Sequence, residues 1–72
     1  MANLAHPVLY IARREHGDTQ TSVAKKLNIS PQRYQLKETG KANFTLPEAK
    51  ALSELYGMSI DELFSNSIKA KL

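Results

Sequence analysis

The chain has no cysteine, and its two histidines, His6 and His16, stand ten positions apart. Disulfides are therefore excluded, and no thiolate or closely spaced His–carboxylate set suggests a structural metal. No apolar run approaches the length that crosses a bilayer, and the N-terminal residues lack the basic-then-apolar pattern of a secretion signal. The expectation is a cytoplasmic protein with no membrane contact. Seventy-two residues and 8.0 kDa leave room for one small core and exclude a two-domain reading. Ser and Thr are scattered, and no nucleophile, base and orienting group can be assembled from them. An enzyme is not expected, nor is a cofactor or a small-molecule substrate.

Proline and glycine are also scarce, three of each, and their positions punctuate the chain. Proline tolerates the first turn of a helix, where its missing N–H is not needed, and glycine accepts the left-handed backbone just past a helix end. Pro7, Pro31 and Pro47 each open a segment with helical spacing, and Gly17, Gly40 and Gly57 each close one. Thr45 is followed three residues later by Glu48, and Ser59 by Glu62, both in the capping-box pattern.

Between these marks the apolar spacing predicts five helices and no strand. The first runs from about Pro7 to His16 with Leu9 and Ala12 inward. The second runs from Gln20 to Leu27 behind the cap Thr19, with Val23, Ala24 and Leu27 on one face. Asn28 tolerates left-handed geometry and so allows a sharp corner, which Ile29 plugs. Ser30 then caps a third helix that reaches about Thr39. A fourth, Leu46 to Tyr56, buries Leu46, Ala49, Leu52 and Tyr56, and a fifth, Ile60 to Phe64, closes the core with Ile60, Leu63 and Phe64. Met58 fills the gap between them. Residues 65–72 have only Ile68 and Leu72 at helical spacing and read as a frayed tail beyond a domain of residues 1–64. The fold class is all-α, a compact five-helix bundle.

The net charge of +3 is unevenly placed. Through Lys41 there are seven Lys/Arg against three acids, giving +4, and residues 42–72 carry three Lys against four acids, giving −1. A basic first half suits a polyanion, whose condensed counterions are released on binding. It equally suits a solvated surface.

Two short helices joined across Asn28, Ile29 and Ser30 have the spacing of a helix-turn-helix, with the small Ala24 where the helices must approach. The run TQTSVAKKLNISPQRYQLKETGK and the later GMSIDELF resemble the phage repressor, Cro and related bacterial regulators over about residues 9–64. The matching positions include Thr19, Gln20, Ala24, Leu27, Ile29, Ser30, Glu38, Gly40, Leu52, Gly57, Ser59, Leu63 and Phe64. The resemblance implies a sequence-specific transcriptional regulator of a temperate phage or prophage, dimeric on a two-fold operator, with the third helix in the major groove.

It also implies roles. Gln20 would hold a phosphate or reach a base edge. Gln32 would read adenine, and Arg33 would bind guanine or a phosphate, with Gln35 and Leu36 one turn on. Ser30 and Pro31 open the reading helix. Lys41 and Asn43 fall where relatives touch the sugar-phosphate backbone, although Lys41 also suits a solvated loop. Arg13 and Glu38 match a salt bridge between the first and third helices.

The chain departs from the family at Tyr34 and Lys37, where aliphatic residues are usual. It departs again at Leu36, where a polar side chain is often presented, and at Phe44, which suits either a satellite of the core or an exposed anchor. Tyr34, Leu36, Lys37 and Phe44 therefore define an alternative: a protein interface through which an antirepressor, or modulator of repression, captures a partner repressor.

Overall fold

The computed structural model describes residues 5–65, and in it the punctuation residues stand where the chain changes direction. Five helices follow in order: α1 (Pro7–Glu15), α2 (Gln20–Leu27), α3 (Pro31–Glu38), α4 (Leu46–Tyr56) and α5 (Ile60–Leu63). No strand occurs among the described residues, so the fold is all-α as expected. Of the tail expected over residues 65–72, all but Ser65 lies outside the described residues, Ile68 and Leu72 included.

Local chemistry sets the helix ends. Thr45 accepts from the Glu48 N–H while Glu48 accepts from the Thr45 N–H, and Ser59 and Glu62 repeat the exchange. A third box, which the sequence reading missed, begins α2: Thr19 and Ser22 cap one another, with the serine hydroxyl serving where Glu or Gln is usual. Asn28 is the one described non-glycine residue with positive φ, at 64°, and the Ile29 N–H donates to the Ala24 carbonyl at 3.0 Å. That bond closes the corner between α2 and α3 with Ala24 fully buried beneath it. At Gly40 the φ of 87° and the nearness of Ala5, 2.7 Å from where a Cβ would stand, both require glycine.

The core joins all five helices through Leu9 and Ala12, Val23 and Ala24, Tyr34, Leu52 and Tyr56, and Leu63. Leu27, Ile29, Met58 and Phe64 pack against it half-buried, in the places expected of them. Leu46 differs. It was expected inside, yet at the first position of α4 it is 67% exposed. Ile60, also the first residue of its helix, is only half-buried.

Candidate nucleic-acid interface

Helix α3 divides its residues sharply between two sides. Tyr34, Lys37 and Glu38 are buried, while Pro31, Gln32, Arg33, Gln35 and Leu36 are exposed. Positions i, i+3 and i+4 share a helix face, so Gln32, Gln35 and Leu36 form one continuous surface, with Arg33 beside it. Ser30 caps this helix by accepting from the Arg33 N–H at 3.1 Å. The loop that follows is tied to α3, since the N–H groups of Lys41 and Ala42 both donate to the Leu36 carbonyl, at 2.8 and 3.0 Å. Exposed Lys41 and Asn43 therefore leave the end of α3 on a defined path.

The buried side is braced by a carboxylate. Arg13 donates to Glu38 through Nε at 2.8 Å and through a terminal nitrogen at 3.3 Å, the ion pair between α1 and α3 that the resemblance implied. Tyr34 donates its hydroxyl to the same carboxylate at 2.9 Å, and Gln20 donates its amide nitrogen at 2.7 Å. Burial lowers the Arg13 pKa, but the hydrogen bond and charge of Glu38 raise it more, and the net shift is upward. Burial and Glu38 together hold the Tyr34 phenol far above its ordinary value, so it stays a donor.

Two sequence expectations are corrected here, at Tyr34 and Lys37, and one of the two alternatives for Phe44 is favoured. Tyr34 is wholly buried and Lys37 nearly so, which removes both from any interface. Lys37 pairs its ammonium with Glu48 at 2.6 Å, and the same Glu48 oxygen caps Thr45 at 2.9 Å. One carboxylate thus neutralises a buried lysine and begins α4. Phe44 is half-buried, its ring 5.9 Å from Tyr34 and 5.6 Å from Phe64, and so belongs to the core margin. His6 is half-buried beside Phe44 and Phe64.

Gln20 is half-buried at the start of α2, its amide on Glu38 rather than free in solvent. It lines an open hollow together with Arg13, Arg14, Thr19 and Thr21. Asp18, which the sequence reading left aside, organises the preceding turn: it accepts from Ser22, Lys26 and Tyr56, with the Lys26 contact at 3.1 Å. Its only sequence signal was an acid just before the Thr19 cap. No helix among the described residues is long and apolar enough to cross a membrane.

Residues 9–63 match the helix-turn-helix family, the DNA-binding transcription regulators of the Cro and C1 type. The chain belongs to the helix-turn-helix family. No curated protein and no solved structure matches it. In a helix-turn-helix the second helix of the motif is the one that enters the major groove, and that helix is α3, whose exposed side carries no acid.

Proposed function

We propose that the chain is a sequence-specific transcriptional regulator that lays α3 in the major groove of operator DNA. One observation carries this reading: the single acid of α3, Glu38, is turned inward onto Arg13, leaving Gln32, Arg33 and Gln35 outward and Lys41 and Asn43 beyond them. Gln32 and Gln35 can donate to and accept from adenine, and Arg33 can take a guanine edge or a phosphate. Ser30, Pro31 and Gln20 flank that surface at the helix starts, where N–H groups favour phosphate. Two copies on a two-fold operator would supply the contact area that one short helix lacks. A temperate phage or prophage switch, acting in the cytoplasm without catalysis, cofactor or small-molecule substrate, is the setting that fits the resemblance.

A gel shift against the intergenic DNA upstream of the gene tests this. Affinity should fall with salt at a log–log slope of about −0.9 per phosphate contacted, and Lys41→Ala should lower that slope. Gln32→Ala and Arg33→Ala should each weaken binding by roughly 1 to 3 kcal/mol while the circular dichroism spectrum stays native.

A second reading rests on Leu36, which is 44% exposed in the middle of the same surface. An antirepressor that captures a repressor would use it as an apolar anchor, now without Tyr34, Lys37 or Phe44. No shift of DNA at low salt, together with repressor binding that Leu36→Ala abolishes, would establish this reading in place of the first.

A further inference from the structure

We propose that Tyr34 is a positioning residue for Gln20: its buried hydroxyl, with Arg13, holds Glu38 in the orientation that clamps the Gln20 carboxamide. What Gln20 then touches rests on the DNA reading above; the clamp itself does not.

The geometry of Glu38 carries the argument. A guanidinium left alone with a carboxylate tends toward two even, parallel hydrogen bonds. Here the two bonds are uneven: Arg13 Nε meets Oε2 at 2.8 Å, and the terminal nitrogen meets Oε1 at 3.3 Å. The Tyr34 hydroxyl donates to Oε2 at 2.9 Å, so that oxygen already receives two donors. Oε1 also receives two donors, the terminal nitrogen of Arg13 and, 2.7 Å away, the amide nitrogen of Gln20, the shortest bond of the four. Removing the hydroxyl would free Oε2 and let the guanidinium take both oxygens evenly, at the expense of Gln20. Tyr34 is inaccessible to solvent, so no water can enter at its hydroxyl without rearrangement.

The clamp leaves Gln20 a carbonyl oxygen and one N–H. An acceptor and a donor on one group can serve the major-groove edge of adenine, whereas a phosphate offers acceptors only. A side chain already held in place also loses little rotamer freedom when its ligand arrives.

The test begins on the free protein. In the wild type, NMR should show a nuclear Overhauser contact between the Gln20 side-chain amide and the Tyr34 hydroxyl or ring, and slower amide exchange at Gln20 than at Gln32 and Gln35. In Tyr34→Phe, folded by circular dichroism, the contact should vanish and Gln20 should exchange like the other two. A Gln20 amide that is solvent-like in the wild type, or unchanged in Tyr34→Phe, would overturn the proposal. Should Tyr34→Phe not fold, the wild-type measurement alone decides. The second arm uses a duplex selected by the wild-type protein from a randomised pool. Gln20→Ala and Tyr34→Phe should each weaken binding roughly tenfold, and the double variant no more than the worse single one; fully additive losses would overturn the positioning role. A protein that selects no duplex sinks the DNA reading, while the exchange measurement still decides the clamp.

Discussion

Around α3 the helices are braced by buried charge, whereas α4 and α5, apart from the Lys37–Glu48 pair and the Tyr56–Asp18 hydrogen bond, are held by apolar contact and by their own caps. Arg13, Gln20 and Tyr34 converge on Glu38, drawing α1, α2 and α3 onto one carboxylate. At the other end Leu52, Tyr56 and Leu63 fill the core, two capping boxes begin the helices, and the Ser53 hydroxyl donates to the Met58 carbonyl across the corner. The difference lies in what each arrangement specifies. Apolar contact is non-directional and tolerates small rotations, but a carboxylate with donors on both oxygens accepts only one orientation of each helix. The half proposed to meet DNA is therefore the half whose side-chain directions are most tightly set.

The comparison is broken most severely at Glu38. Glu38→Ala leaves Arg13 buried without its counter-charge, a loss of about 3 to 5 kcal/mol, which for a domain of this size approaches total stability. Urea denaturation should find it largely unfolded; a melt near that of wild type would show the network to be incidental. Next comes Ala24→Leu, which wedges α2 from α3 where the Ile29 N–H crosses to the Ala24 carbonyl. Overpacking there should cost roughly 1 to 3 kcal/mol, read as a lowered midpoint in the same titration.

At the opposite end, Ser59→Ala removes one side of the α5 box. The expected loss is about 1 kcal/mol, with exchange protection falling in α5 more than in α3. A uniform loss across both halves would mean that the two ends unfold as one unit.

The smallest effect is on pH. Burial among Phe44 and Phe64 lowers the His6 pKa, with the charge of Glu38 opposing it. The unfolded chain then binds that proton more readily than the folded one, so stability declines as pH falls through about 6.5, the ordinary histidine value. Lower still, Glu48 and Asp18 contribute. Burial raises each carboxyl, but hydrogen bonds, from Lys37 and Thr45 to Glu48 and from Lys26, Tyr56 and Ser22 to Asp18, lower each of them more. Their stabilisation is present above the unfolded carboxylate range and is lost as pH falls through their depressed values. Melting temperatures from about pH 8 to about pH 5 should thus fall in the wild type and stay flatter in His6→Phe. Identical slopes would place the titration elsewhere.

The local features of this protein were legible because their causes lie within four residues of each other. Pro31 and Gly57 bound helices, Asn28 turns the corner, and Thr45 and Ser59 find their glutamates three positions on. The exposed surface of α3 could be read the same way, since one helix turn brings Gln32, Gln35 and Leu36 together. Tertiary structure alone decided the rest. Gln20 reaches Glu38 across 18 positions, Arg13 across 25, and Lys37 reaches Glu48 across 11. A polar residue's burial depends on whether such a distant partner arrives to satisfy it, and nothing within a turn of Lys37 announces Glu48. Tyr34 and Lys37 thus became interior residues and Gln20 a clamped one. Leu46, with apolar spacing but at the first position of its helix, was left facing solvent.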